Sequence, residues 1–527
     1  MAVKEFNLID EPWIPCVGLK RESLEYGIRD VLKKSHELRE IFDPSPLVTT
    51  ALHRLLLAVL YRVLGGIDNR KAWMEMFKKG HFDADMINTY LEKWRDRFFL
   101  IHDQYPFYQM ASLETRKEVT VARLVAELAS GNNPTLFDHT NEGMNFSLTY
   151  PEAARYLVAC QAFALGFGKS GKATINGKIE SRPYFKDAIA LRGMNLWLQG
   201  KTLFHTLSVN TSFIGDNSCP PWEMDDPHSK RDEIQSAGKV DILTWQSRLI
   251  RLIAEDGKIE RMCFTQGRHT DKEDTEDPMK VYKKTKEGYN PLSLKEDKAV
   301  WRDYHTISMA IAPEQIVVRR PECFNLVSEA IEKGIIDESE CFISHVTGLA
   351  TSQGKAGKFV LWRHERLPLP AILLKPAFLE VVDLMIRYAE TAAGCLKGRL
   401  TKILSAYLEP ENKPVNREEL NRVLESINPL PQYWARLEPG FYQLLHSLPQ
   451  DWDYNAEGWK DSKDLKAGME WRGQIKEQAQ RALEDSVKMM GNTARAIRAI
   501  EKVGTSFSDR DLGLTELDEE LRRLICC

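Results

Sequence analysis

The residues most suited to bind a charged ligand lie in the segment 165–204. This segment contains six glycines, seven lysines or arginines and two acidic residues, so its net charge is +5. Glycine allows a backbone to approach a phosphate or a groove closely, and lysine neutralises phosphate charge. A flexible surface loop with incidental lysines would have the same composition. The segment therefore predicts either a contact with nucleic acid or a plain surface loop.

Part of this segment also resembles a nucleotide-binding loop. Gly166–Lys172 matches the first seven positions of the motif G-x-x-x-x-G-K-[ST], but the eighth position is Ala173, which has no hydroxyl for Mg²⁺. The preceding residues 156–165, YLVACQAFAL, have a helical pattern, whereas a P-loop follows a strand. Because seven positions match and these two features do not, a P-loop-like enzyme acting through 166–172 is kept only as the alternative hypothesis.

Two further segments contain notable side chains: one could bind nucleic acid, and the other pairs an aspartate with a histidine, which suggests acid–base chemistry or a plain turn with a core phenylalanine. In 344–366 the small and polar residues 351–354 predict a projecting turn flanked by four basic residues, Lys355, Lys358, Arg363 and Arg366. A glutamine at such a tip can bond base edges or enter between bases, although a polar hairpin turn explains the same pattern. In 131–139 an Asn-Pro turn precedes Phe137, Asp138 and His139, with no nucleophile motif beside them.

Composition limits the classes of protein to consider. The chain of 527 residues has a formal net charge of −4, so any basic site must be local. Its nine cysteines and twelve histidines form no C-x-x-C or H-E-x-x-H motif, and we expect reduced thiols, no metal and no cofactor. The N-terminus lacks an apolar signal region, and 47–64 has the pattern of a buried helix. We expect a cytoplasmic protein without a membrane partner.

Hydrophobic patterning predicts an α+β protein, with a large mixed N-terminal domain followed by a C-terminal antiparallel four-helix bundle. Asp256-Gly257 between apolar runs predicts a hairpin, and the evenly charged stretch 268–303 predicts a solvated insertion. Apolar residues recur at helical spacing over 378–407 and 469–503, with shorter helices at 416–427 and 432–447. We place the domains at 1–368 and 369–527.

Seven ordered motifs resemble one family, the CasA large subunit of Cascade, the type I-E CRISPR surveillance complex. They are FNLIDEPWIP at 6–15, SPLVTTALHRLLLAVLYRVL at 45–64, HDQYPFYQ at 102–109, NNPTLFDH at 132–139, LQGKTLFHTL at 198–207, PPWE at 220–223 and LTWQSRLIRLI at 243–253. The resemblance covers the N-terminal two-thirds of the chain. The helical C-terminus fits the four-helix bundle of the family.

The resemblance implies a role in antiviral defence that needs no catalysis. The family reads the protospacer-adjacent motif of double-stranded DNA through the minor groove, opens the duplex to start R-loop formation, and helps recruit a helicase-nuclease. The implied partners are therefore target DNA, a guide RNA, the other Cascade subunits and that helicase-nuclease. A few groups in the minor groove would give a permissive motif reader, and opening the first base step costs a few kcal/mol of unstacking.

The resemblance also assigns roles to individual residues. The glycine loop of the family corresponds to Gly166-Phe167-Gly168-Lys169, its lysine finger to Lys258, and its glutamine wedge to Ser352-Gln353. The loop around Phe137, Asp138 and His139 corresponds to the segment that contacts the guide RNA and neighbouring subunits.

Overall fold

The computed structural model describes residues 4–526 except 67–68, 127–145, 167, 183, 212–214, 231–234, 271–275, 287, 296–297, 305–317, 352–358, 410–414 and 462–463. The chain divides into two compact units. Unit 1 comprises Met1–Glu296, Ile311–Ile336 and Cys341–Arg366, and unit 2 comprises Asp297–Ala310, Asp337–Glu340 and Leu367–Cys527. Unit 2 therefore draws two short segments from the region before residue 368.

Unit 1 contains short helices and small sheets in alternation. Its helices are α1 (Ile28–Lys33), α2 (Pro46–Val63), α3 (Arg70–Lys79), α4 (Ala84–Lys93), α5 (Tyr150–Phe163), α6 (Leu203–Asn210), α7 (Lys239–Leu243) and α8 (Glu322–Glu332). Its strands are β1 (Lys4–Asn7), β2 (Ile14–Gly18), β3 (Ser23–Tyr26), β4 (Leu38–Ile41), β5 (Phe99–His102), β6 (Glu114–Thr115), β7 (Val119–Thr120), β8 (Leu148–Thr149), β9 (Gly171–Ile175), β10 (Lys178–Arg182), β11 (Asn195–Gln199), β12 (Arg248–Glu255), β13 (Lys258–Gln266), β14 (Tyr282–Thr285), β15 (Gly288–Pro291), β16 (Leu294–Lys295), β17 (Val318–Arg319), β18 (Cys341–Thr351) and β19 (Phe359–Pro370).

Helix α2 lies in the core of unit 1. Ser45 caps it by accepting a hydrogen bond from the backbone N–H of Val48 at 3.3 Å, and Pro46 occupies its first turn. By length and composition α2 could cross a membrane, but 83% of it is buried inside the protein. The predicted buried helix is therefore confirmed.

Three sheets of unit 1 carry the segments predicted to bind nucleic acid. The order β10-β9-β6 forms one sheet. In a second sheet β13 pairs with β12, β7 and β8. In a third the order is β11-β18-β16, and β19 pairs with β18. The predicted hairpin is confirmed, since β12 and β13 are antiparallel partners. Asp256 and Gly257 connect them with φ values of 49° and 76°, as a tight two-residue hairpin turn requires.

The prediction that 268–303 is solvated is wrong. Its described apolar residues enter the core, among them Met279, Val281, Tyr282, Leu294, Val300 and Trp301. Two of its charges are buried in ion pairs with distant residues: Arg268 with Asp241 at 2.7 Å, and Asp277 with Arg54 at 2.8 Å. The density of charged residues suggested solvent exposure. The prediction failed because the ion-pair partners that allow burial are remote in sequence.

Unit 2 is helical. Its helices are α9 (Pro376–Leu408), α10 (Arg417–Ser426), α11 (Leu430–Ser447), α12 (Lys466–Lys488), α13 (Ala494–Val503) and α14 (Leu514–Cys526), with a small hairpin of β20 (Trp452–Asp453) and β21 (Gly458–Trp459). Helices α11 and α12 run antiparallel, since Arg436 pairs with Asp485 while Gly440, further along α11, lies against Gln474. With the mixed unit before it, this helical unit confirms the α+β fold class.

The helix predicted over 469–503 is two helices. Gly491, with φ of 75°, follows the end of α12, and the Thr493 side chain then caps α13 by accepting a hydrogen bond from the backbone N–H of Ala496 at 3.2 Å. Apolar spacing continues through the break, so periodicity alone did not reveal it.

Candidate nucleic-acid interface

The glycine-bearing loop 164–170 connects α5 to β9. The order of elements is therefore helix, loop, strand, and Lys172 lies in the strand. A P-loop has the reverse order, with the loop opening a helix whose N-terminal amides bind phosphate. This local structure contradicts the alternative hypothesis of a P-loop-like enzyme acting through 166–172.

Gly166 is held close to a neighbouring segment. Its backbone N–H donates a hydrogen bond to the Asp187 carboxylate at 3.0 Å. A Cβ atom at this position would lie 2.5 Å from the backbone nitrogen of Asp187. Because backbone cannot move aside as a flexible side chain can, only glycine fits here without a shift of the chain.

Gly168 and Lys169 are exposed on the outer side of the loop. Gly168 has φ of 81°, a conformation that glycine adopts readily, and open space surrounds the position where a Cβ would stand. Its carbonyl accepts a hydrogen bond from the backbone N–H of Phe185 at 3.2 Å. The loop therefore presents bare backbone and a lysine to solvent. Phe167 lies outside the described residues.

Ser170 fixes the end of the loop to β13. Its hydroxyl lies 2.6 Å from the Thr265 hydroxyl and accepts a hydrogen bond from the backbone N–H of Gln266 at 2.9 Å. The Gln266 side chain in turn accepts a hydrogen bond from the backbone N–H of Lys186 at 2.7 Å. The end of the loop and the neighbouring segment at Lys186 are thus attached to the same end of one strand.

Arg248, at the start of β12, contacts the beginning of the loop from the protein interior. Its guanidinium is fully buried and donates a hydrogen bond to the carbonyl of Leu165 at 2.8 Å. Desolvation lowers the pKa of Arg248 to about 10, and the ring of Phe185 lies 5.2 Å from the guanidinium. Gln161 completes the clamp by accepting a hydrogen bond from the backbone N–H of Arg248 at 2.8 Å.

Sequence reasoning missed this clamp of Gln161, Arg248 and Gln266. The LTWQSRLIRLI motif contains Arg248, but its letters do not reveal a buried arginine that bonds a loop more than eighty residues away. A basic residue among apolar strand residues was the one available signal, since arginine is buried when its donors are satisfied.

The structure does not bring Lys258 close to the glycine loop. Lys258 is exposed at the first position of β13, where it follows the tight turn and pairs with Thr149 of β8. The loop is attached at Thr265 and Gln266, at the other end of the same strand. Eight residue steps of about 3.3 Å separate Lys258 from Gln266, so these ends lie about 26 Å apart.

The part of β19 that follows the turn of the β18–β19 hairpin is much nearer to the glycine loop. The ring of Trp362 in β19 contacts Phe163, the last residue of α5, with ring centroids 6.3 Å apart. The turn that joins the two strands, including Ser352 and Gln353, lies outside the described residues. Phe137, Asp138 and His139 also lie outside them.

Metal chemistry finds no support in the described ranges. Within them, no group of three or more histidine, cysteine, aspartate or glutamate side chains is arranged to hold a metal ion. The side chains gathered around the glycine loop are amides, hydroxyls, an arginine and exposed lysines, which suit hydrogen bonding and charge neutralisation.

Known proteins share both the sequence and the fold. The family described as CRISPR-associated protein Cse1 matches residues 7–482. The CRISPR-associated protein CasA/Cse1 of Thermus thermophilus is 32% identical and covers 99% of each chain. A solved structure of Thermus thermophilus CasA (Cse1) matches with a TM-score of 0.77 and 27% identity, over 98% of this chain and 100% of that one.

One further likeness concerns the fold. A chain from a structure described as a CRISPR RNA-guided surveillance complex matches with a TM-score of 0.73 and 21% identity, over 98% of this chain and all of that one. The family match extends through unit 1 and most of unit 2, and the identity to the Thermus relative runs the full length. On this evidence the chain belongs to the CRISPR-associated Cse1 family.

Proposed function

We propose that the chain is the large subunit of an RNA-guided CRISPR surveillance complex and recognises a short motif in duplex DNA beside the target. The observation that carries the proposal is the clamped loop 164–170, which presents the exposed backbone of Gly168 and the ammonium group of Lys169. A segment that presents bare glycine backbone and a lysine can enter a minor groove and hydrogen-bond its edges. Because hydrogen bonds already hold Leu165, Gly166 and Ser170, binding would cost less conformational entropy.

We propose that the β18–β19 hairpin opens the duplex. Gln353 and Ser352 are the proposed wedge, and the contact of Trp362 with Phe163 supports a position for the start of β19 beside the glycine loop. Reading the motif and separating the adjacent base step would then occur at neighbouring points. Since the RNA–DNA pairs that follow are about as stable as the DNA pairs they replace, this first opening is the step that needs protein.

Lys258 would make a separate contact. At a rise of about 3.4 Å per base pair, the 26 Å between the ends of β13 correspond to about eight base pairs of duplex. We propose that Lys258 binds the DNA backbone away from the motif and adds affinity more than sequence preference.

The relatives support part of the proposed partner set. A surveillance complex described as RNA-guided contains a guide RNA and further subunits. We propose that this chain joins such a complex in the cytoplasm, that the segment around Phe137, Asp138 and His139 contacts the guide and a neighbouring subunit, and that a helicase-nuclease is recruited after target capture. The work assigned to this chain is binding and strand separation, which needs no catalytic group.

A gel shift of the guide-loaded complex tests the proposal. The duplexes would differ only in the trinucleotide beside the target, and each would be tested with and without this chain. We expect the chain to create a preference for some trinucleotides, and Gln353→Ala to reduce strand separation more than initial binding. Equal binding of all duplexes in the presence of the chain would refute motif recognition. Strand separation is read from the permanganate reactivity of the target DNA, and a reactivity with Gln353→Ala equal to that with the unsubstituted chain would refute the wedge.

A further inference from the structure

Two of the motifs in unit 1 take no part in the proposed DNA contact, yet they meet around a cavity. HDQYPFYQ at 102–109 and PPWE at 220–223, with the residues that follow each, line a space of about 530 Å³. Binding sites for small groups in proteins commonly have volumes of about 300–1,000 Å³. The cavity is therefore large enough for a side chain together with its flanking main chain.

The walls of this cavity are fixed by hydrogen bonds. Nδ1 of His102 accepts hydrogen bonds from the backbone N–H groups of Gln104 and Tyr105, each at 3.0 Å. The Gln109 side chain donates to the carbonyl of Leu100 at 2.7 Å and accepts from the backbone N–H of Leu252 at 2.8 Å. The site is thus preformed.

The second wall is equally constrained. The Trp222 indole N–H donates to the Tyr90 hydroxyl at 2.7 Å, and Arg62 forms two hydrogen bonds to the Glu223 carboxylate at 2.8 and 2.6 Å. The Trp222 ring stacks with Phe107 of the first wall at a centroid distance of 6.2 Å. This stacking joins the two motifs directly.

The rim of the cavity is acidic. Asp103, Asp225 and Asp226 line it together with a single arginine, Arg97, which gives a net charge of −2 with the histidine uncharged. Neither Asp225 nor Asp226 forms an ion pair with a described basic residue, and both are exposed. The guanidinium of Arg97 lies 3.7 Å from the Tyr105 ring centroid, so the aromatic wall already accommodates one guanidinium group.

A buried amide provides the second observation. Gln246 lines the cavity and is only 5% exposed, and its side chain has no hydrogen-bond partner among the described residues. An amide at the wall of an open cavity can exchange its hydrogen bonds with water for bonds to a ligand. The amide can both donate to and accept from the main chain of a bound peptide.

We propose that this cavity binds an arginine or lysine side chain presented by a protein partner. Carboxylates attract the cationic head, Tyr105 offers an aromatic surface, and Gln246 bonds the flanking main chain. A nucleotide suits the site less well, because its phosphate would lie beside three carboxylates. The proposal concerns a protein contact and does not depend on DNA recognition.

The experiment uses the full chain and three probes: N-acetyl-L-argininamide, N-acetyl-L-leucinamide and guanosine 5′-monophosphate. Binding is measured by saturation-transfer difference NMR and by calorimetric titration at low salt. We expect the argininamide to bind with an affinity in the millimolar range, and the leucinamide and the nucleotide to bind much more weakly.

Variants locate the site. Asp225→Asn combined with Asp226→Asn removes two exposed charges and should weaken argininamide binding about tenfold, whereas the exposed control Asp85→Asn should leave it unchanged. Gln246→Leu should also weaken it, with near-UV circular dichroism checking that the fold persists. No argininamide binding, equal binding to the double variant, or preference for leucinamide or the nucleotide would overturn the proposal.

Discussion

The glycine loop of unit 1 and the helical core of unit 2 are held by different kinds of contact. The loop is held by directional hydrogen bonds: Arg248 donates to the Leu165 carbonyl, the Gly166 N–H donates to the Asp187 carboxylate, and the Ser170 hydroxyl accepts from the backbone N–H of Gln266. The helices pack around aromatic rings, where Trp301 stacks on Phe441 at 4.8 Å and lies edge-on to Trp471 at 6.2 Å. The hydrophobic effect is non-directional, whereas a loop proposed to read DNA would need directional bonds that fix its backbone.

The largest effect should follow from removing the centre of the aromatic core. Trp301 is fully buried, so Trp301→Ala should lower the free energy of unfolding of unit 2 by about 3–5 kcal/mol. Urea unfolding, monitored by the hydrogen exchange of peptides from unit 2, measures this loss. The control is Tyr454→Ala, because Tyr454 is 55% exposed. A loss no larger than that of the control would show that the ring cluster does not stabilise the helices.

Acid should distinguish the two units. In unit 1, His53 stacks on Trp197 at 4.0 Å, and burial lowers the pKa of His53 to about 4. Below pH 6.5 His53 binds a proton in the unfolded chain but stays neutral in the folded one. Stability is therefore complete above pH 6.5 and falls by about 3 kcal/mol as the pH decreases toward 4.

Hydrogen exchange at pH 7 and pH 5 measures this acid effect. Peptides of unit 1 should lose protection at pH 5 more than those of unit 2. His53→Gln keeps a donor for the Thr49 carbonyl, which His53 contacts at 2.8 Å, and should make the pH dependence of unit 1 shallower. An unchanged dependence in this variant would exclude His53 as its source.

Loosening the clamp should release the loop without unfolding the unit. Arg248→Met removes the donor to the Leu165 carbonyl, and we expect the local free energy of opening of 164–170 to fall by about 2 kcal/mol. Hydrogen exchange of peptides covering the loop measures it. Arg261→Met on β13, whose side chain is 63% exposed, is the matched control. Equal protection in both variants would contradict the clamp.

The smallest effect concerns two single charges, Lys169 in the loop and Lys172 in the strand that follows it. Lys169→Ala and Lys172→Ala should each make the slope of log affinity against log salt less steep by about one, if each lysine neutralises one phosphate. Gel shifts of the guide-loaded complex at several salt concentrations give the slope. Lys71→Ala, on a side chain 87% exposed in α3, should leave it unchanged. Slopes that do not differ from this control would remove both lysines from the interface.

The elements that the sequence predicts well are those defined by local pattern. Ser45 and Pro46 mark the start of α2, and Asp256-Gly257 marks the hairpin, because capping and turn chemistry depend on adjacent residues. Apolar spacing predicts the helices of unit 2 for the same reason. Apolar spacing did not predict the break at Gly491, because the apolar pattern continues past it and the helix end depends on that single residue.

The contacts that could not be predicted join residues far apart in sequence. Arg248 and Leu165 are separated by 83 positions and Arg54 and Asp277 by 223, so no local window contains both partners. The prediction of a solvated segment at 268–303 failed in the same way. Composition singled out the segment of the glycine loop and the family resemblance gave it a predicted role, but the clamp around it became visible only in the fold.

The most direct test of DNA recognition is to ask whether position 169 touches the duplex. Lys169 would be replaced by a photo-crosslinking amino acid in the guide-loaded complex, with exposed Asp85 replaced in the same way as a control. We expect crosslinks from position 169 to the base pairs that flank the target, and none from position 85. Crosslinking from 169 no stronger than from 85, in a complex that still binds the duplex, would contradict the proposed role of the glycine loop.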